Sequence, residues 1–192
     1  MFLLCNLLYF LIGGLSDFNL SLGDQACLQP YSPWIRPWIA AALAPQPLDC
    51  ARLSDPAFLA LSASYSSHAT DVAKSLIIVH VPVLALPLWL SNRTRSWFYA
   101  EHLGVAFHLF AVLLLTTIVL LPIVLSWLPE TAAWLLLVAH LPLLAHWALL
   151  LQRAYGWSLW RSAGMVLLLL AALLPAHLGY RALQFLVSWV LL

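Results

Sequence analysis

Six of the seven histidines in this chain fall within or at the edge of long apolar runs: His80, His102, His108, His140, His146 and His177. An imidazole can ligate a metal or haem iron, relay a proton, or serve as a neutral hydrogen-bonding group. Placing one in an apolar setting costs free energy unless it is paired or solvated, so each is a candidate site. Helical geometry narrows the choices. His102 and His108 are six residues apart, which at about 100° per residue places them about 120° apart around one helix. They do not share a ligand from one face, and the same holds for His140 and His146. Glu101 and His108, seven apart, do share a stripe, as do His146 and Arg153. Neighbouring antiparallel helices would bring Glu101, His108, His146 and Arg153 into one polar cluster.

Each candidate has a plainer reading. His80, His140 and His177 each lie two residues from a proline (Pro82, Pro142, Pro175). A neutral imidazole there can donate to a backbone carbonyl that the proline leaves unpaired. No spacing matches a strong metal motif such as His-x-x-x-His or Glu-x-x-His on one helix face. A haem or metal would need histidines facing one another across helices, and the metal ligand set stays unknown. Enzyme signatures are absent in the main: there is no Gly-x-Ser-x-Gly elbow, no useful acid pair and no histidine box. No catalytic residue is assigned, and the chain leans away from being an enzyme.

The elements that must carry these residues follow from composition. The 192 residues are 64% hydrophobic and 8% charged, with a mean hydropathy of +0.96. A soluble domain carries about 25% charged residues, so too little polar surface remains to cover a water-facing globule. The formal net charge of +1, with no basic stripe and no glycine-rich phosphate loop, gives no reason to expect nucleic acid. A span needs roughly 20 apolar residues, and four stretches reach or approach that. They are Val72–Leu90, His102–Leu128, Ala132–Leu151 and Ala163–Leu192, the last interrupted by Pro175, His177 and Arg181. Met1–Leu15 is a fifth candidate, expected to be a span that is short for the bilayer, and a start clipped upstream is the expected reason for its missing basic flank. A signal peptide is its rival, disfavoured by the missing positive flank and small-x-small site.

The expected fold is therefore an all-α, polytopic membrane helix bundle of about five transmembrane helices in a single membrane domain over 1–192. Residues 1–15 form the first span, 16–71 a loop-rich extracytoplasmic region with short interfacial helices, and 72–192 a four-helix core. Asp17–Asp71 holds five of the seven acids and six of the twelve prolines. Trp34 and Trp38, four apart, suit a helix at headgroup level. Cys27 and Cys50 fall in this region, where a disulfide is open to them. Arg93 and Arg95 occupy one short loop and Arg153 and Arg161 another, while the turn between, at Pro129-Glu130-Thr131, has no basic residue. The positive-inside rule makes both arginine loops cytoplasmic. The N-terminus is then inside and the C-terminus outside. Arg181 is expected to snorkel near the outer interface, with the apolar tail after it lying along the membrane surface; an ion pair with Glu130 or Asp71 is the alternative.

Asn92-Arg-Thr-Arg-Ser-Trp-Phe-Tyr-Ala-Glu-His-Leu-Gly-Val-Ala-Phe-His108 resembles the signature of a bacterial membrane family known as domain of unknown function 3667. The matching positions are Tyr99, Glu101, His102, Leu103, Phe107 and His108, although Phe107 and His108 are adjacent where the family spaces them. Tyr155-Gly156, followed by Ser158 and Arg161, resembles its later Tyr-Gly element. Members usually carry an N-terminal zinc ribbon that this chain lacks. The resemblance implies a bacterial inner-membrane location and this architecture, with no activity attached. The expected role is non-enzymatic, in envelope organisation, assembly or partner binding, with the bilayer and a second copy or another membrane protein as partners. The alternative is a small transporter or a metal- or haem-binding protein using the intramembrane histidines.

Overall fold

A computed structural model describes residues 20–44, 48–51, 53–93, 97–127 and 134–192, with side chains left aside over 118–127 and 134–139. The expectations for Met1–Leu15, Arg95 and Pro129-Glu130-Thr131 lie outside the described residues. The fold is all-helical, with no strand among the described residues: α1 (Leu22–Cys27), α2 (Ser32–Leu43), α3 (Pro56–Leu76), a 3₁₀ turn (Ile77–Val79), α4 (His80–Ser91), α5 (Tyr99–Trp127), α6 (Trp134–Tyr155) and α7 (Leu159–Val190). Pro56–Ser91, Tyr99–Thr117 and Leu159–Val190 are each long and apolar enough to cross a membrane.

The largest difference from the sequence reading is α3. The boundary expected at Val72 falls inside a helix that begins at Pro56 and continues through the 3₁₀ turn to Ser91. Its start is well specified. Asp55 accepts a hydrogen bond from the Ala57 amide at 2.9 Å, and Pro56 takes the first helical position, where its missing N–H costs nothing. The serines and threonine of α3 turn their hydroxyls back onto the helix. Ser66 donates to the Ser62 carbonyl, Thr70 to Ser66 and Ser75 to Asp71, so each polar group is satisfied without leaving the helix. Lys74 pairs with Asp71 at 3.0 Å, one turn apart on an exposed face. Further on, Pro82 has no N–H to offer the carbonyl four residues back, and the 3₁₀ turn falls in that interval.

The chain forms two compact units. One comprises Leu178–Leu192 with the described part of Leu15–Ile77. Its core gathers Leu22, Ala26, Tyr31, Ile35, Ile39, Phe58, Tyr65, Ala69 and Phe185. Cys27 and Cys50 are joined in a disulfide with Cα atoms 5.9 Å apart. Gly23 sits against Leu53, where an added Cβ would stand 2.9 Å from Leu53 Cδ1. A polar seam runs through this core: Tyr31 donates to Gln25 Oε1, and Gln25 Nε2 donates to the Tyr65 hydroxyl at 3.3 Å. Arg36 Nε donates to the Ala26 carbonyl at 2.8 Å, closing the end of α1.

The tail after Arg181 does not peel away as a separate surface segment. It continues α7 as one helix to Val190, docked on α3 by Tyr180 to the Ala73 carbonyl (3.3 Å) and Gln184 to the Ala69 carbonyl (3.1 Å). Burying Phe185 is the reason it stays put, since a buried Phe contributes about 1.5–3 kcal/mol. Asp71, one of the partners considered for Arg181, is engaged by Lys74.

The second unit, Ile78–His177, packs α4 on α5 through Val81, Leu84, Ala85 and Leu88 against Ala106, Leu109, Phe110 and Leu114, all buried. α6 buries Leu143, Trp147, Leu151 and Tyr155, a four-residue stripe on one face. Leu86, Leu90, Leu141, Leu149, Leu167 and Leu174 remain exposed. That much apolar surface is stable only against lipid.

Candidate functional site

The residues singled out by sequence meet most closely at the N-terminal end of α5. His102 is fully buried there, and its Nδ1 lies 2.8 Å from the Tyr155 hydroxyl at the end of α6. The two rings stack with centroids 5.5 Å apart. Trp97 leans on both, at 5.7 Å from His102 and 5.1 Å from Tyr155. Trp157 closes the other side, stacked on Tyr155 at 4.5 Å.

Local sequence explains the arrangement. Glu101 turns its carboxylate back to accept the Phe98 amide at 2.6 Å, capping the first turn of α5. Tyr99 reaches across to donate to the Pro82 carbonyl at 2.8 Å, which ties the helix start to α4. Gly156 has φ = 64° and donates its amide to the Gln152 carbonyl at 2.9 Å. That left-handed residue ends α6 and turns the chain so that Trp157 returns onto Tyr155. The Tyr-Gly pair therefore has a mechanical role: one residue holds the histidine and the other makes the turn. His102 Nε2 stays buried with no hydrogen-bond partner among the described residues.

The expected four-residue polar cluster divides. His108 and His146 do meet across α5 and α6, ring centroids 5.8 Å apart and tilted by 32°. Glu101 is occupied with its own helix cap, and Arg153 is exposed in the last turn of α6. No ion pair joins the two among the described residues.

A second imidazole pair was not foreseen. His80 lies 5.9 Å from His177 across α4 and α7, and is stacked on Phe110 at 5.3 Å. The proline beside each histidine suggested separate local roles. Each lies within a long apolar run, which was the only signal available for pairing them, and position along a run does not set rotation about a helix. Among the described residues, no three His, Cys, Asp or Glu side chains converge as a metal-holding group.

Arg153 and Arg161, expected together in a loop, fall instead in the last turn of α6 and the first turn of α7, because the connection between the helices is only three residues long. Arg93 and Arg161 each hold a guanidinium over an indole. Arg93 lies 4.9 Å from the Trp89 ring and Arg161 lies 4.5 Å from the Trp157 ring. Arg161 also donates to the Ser91 carbonyl at 3.0 Å, linking the start of α7 to the end of α4.

These features define an all-helical membrane protein with a buried His–Tyr centre and two cross-helix imidazole pairs. No protein-family model matches the chain, and neither a curated protein nor a solved structure matches it significantly.

Proposed function

We propose that this chain is a non-enzymatic membrane protein that organises or assembles partners in the bacterial inner membrane. The observation that carries the reading is the disulfide-closed helical unit, which has its own core and still presents Leu28 and Trp34 at 73% and 80% exposure. Trp34 and Trp38 part company. Trp38 leans on Phe185 at 6.4 Å, whereas Trp34 stands clear. Exposed aromatic side chains on a rigid frame suit recognition, because little freedom is lost on binding.

Topology fits this role. The C-terminal tail packs with α1–α3, so these segments share a side, and a disulfide suits the extracytoplasmic one. The two arginine loops are joined through Arg161 and Ser91, which suits a common cytoplasmic side. A photo-crosslinking residue in place of Trp34, activated in intact cells, tests the reading. A discrete protein adduct, either a second copy or another membrane protein, is expected. Adducts to lipid alone would sink it.

His108 and His146 favour one second reading, a metal- or haem-binding protein. Ring centroids of 5.8 Å are compatible with two nitrogens sharing one ion, given metal–nitrogen bonds of about 2.0–2.1 Å. Metal analysis and a visible spectrum of the purified protein decide it. Stoichiometric metal or a Soret band, lost in both His108→Ala and His146→Ala, is the required result.

A further inference from the structure

We propose that the arginine-loop end of the Ile78–His177 unit is a binding site for the phosphate of an anionic phospholipid, centred on Arg161. This goes beyond partner binding and is independent of which side of the membrane that end faces.

Arg161 is positioned before any ligand arrives. One Nη2 hydrogen goes to the Ser91 carbonyl and the guanidinium plane rests over Trp157. A guanidinium has five N–H donors, and this side chain is exposed, so most of its fork remains available. A fixed, planar, permanently charged fork is the group best matched to phosphate oxygens.

Charge at this end is lopsided. Arg93 lies two residues beyond Ser91, and Arg153 lies two residues before Tyr155, the residue stacked on Trp157. Both are exposed. The acid in the same loop region, Glu101, spends its carboxylate on the Phe98 amide. Two further groups sit beside the Arg161–Ser91 bond in the chain. Asn92 Nδ2 and Ser162 Oγ are buried and have no hydrogen-bond partner among the described residues. Both can donate, and a phosphate supplies only acceptors.

The surroundings say that the phosphate belongs to a lipid. Trp160, next to Arg161 in the chain, and Phe98, just before α5, stand 86% and 79% exposed, as interfacial aromatics do. Leu90, next to Ser91 at the end of α4, and Leu86, one turn further in, are both exposed and offer a track for an acyl chain. Basic pockets between membrane helices are where anionic headgroups bind.

The test uses the full chain in mild detergent, with phosphatidylglycerol, phosphatidylcholine and inorganic phosphate as probes. Native mass spectrometry reads bound lipid, and thermal unfolding reads stabilisation. Phosphatidylglycerol is expected to bind and raise the Tm. Arg161→Gln is expected to weaken it roughly tenfold, the loss of one charge-assisted hydrogen bond, while Lys74→Gln binds as the native chain does. Equal binding of the two lipids, or undiminished binding by Arg161→Gln, overturns the proposal. Equal stabilisation by inorganic phosphate overturns the assignment to lipid. Should Arg161→Gln fail to fold, the salt dependence of the native chain decides: phosphatidylglycerol binding must fall as salt rises, and binding indifferent to salt overturns the site.

Discussion

Tyr155 holds His102 through a 2.8 Å hydrogen bond to Nδ1 across 53 positions of sequence. Two residues from separate motif-like stretches thus form one buried unit.

Removing the tyrosine hydroxyl should therefore cost more than a surface change. Tyr155→Phe keeps the ring stack but leaves His102 Nδ1 buried and unpaired, a loss of about 1–3 kcal/mol. Thermal unfolding in detergent should show a clear fall in Tm. A Tm equal to that of the native chain would mean the hydrogen bond is not formed.

Gly156→Ala tests the turn separately. Its φ of 64° imposes about 1–2 kcal/mol on any residue bearing a Cβ. The variant should be less stable, and the Trp157 fluorescence environment should change with it. Gly104→Ala is the matched control, since beyond its own helix backbone nothing lies within 4 Å of an added Cβ there.

The disulfide joins cysteines 23 positions apart in sequence, and loop-closure entropy alone gives about 3 kcal/mol for that length. Replacing both cysteines by alanine should make the segment between them readily cleaved by added protease while the membrane helices persist. Unchanged resistance would show that the core around Tyr65 and Phe185 suffices alone.

Alkaline stability should report Tyr31. Burial pushes its hydroxyl up from 10.0 to about 12, partly offset by the neighbouring Arg181 charge. In the unfolded chain the hydroxyl ionises near pH 10, while the folded chain retains the proton until about pH 12. The unfolded state therefore binds fewer protons in that window, and stability falls as pH rises through it. Below pH 10 this group adds no slope. Tyr31→Phe should flatten the decline, and an identical pH profile for the variant would contradict the assignment.

Much of the architecture was legible because apolar run length leaves few options for a chain with so little charge. The start of α5 at Tyr99 and the end of α6 at Tyr155 fell within a turn or so of where the apolar runs, from His102 and to Leu151, placed them. α3 was not legible as one long helix. The acids and prolines of 17–71 read as loop throughout, because counting them over the whole region hides that Pro56 is the last proline before Pro82 and sits at a helix start. At the site, sequence placed His108 and His146 in one cluster across antiparallel helices, and the fold brings these two together. It also placed Glu101 with them, since stripe arithmetic ignores the competing claim of an open helix end. The His80–His177 pairing depends on the rotation of two helices far apart in sequence, which one sequence does not encode in readable form.

Phe185 lies in a core otherwise built from residues between Leu22 and Ala69. During synthesis, then, the first helices of that unit emerge long before the side chain that completes their interior. Cys27 and Cys50 can pair early, but the oxidised segment must wait until the chain has been made through Phe185 before its apolar centre closes. A transcript that stops short of Phe185 would leave an inserted chain with an open, disulfide-bonded unit. Such a product is the kind of half-folded species that cellular proteases clear.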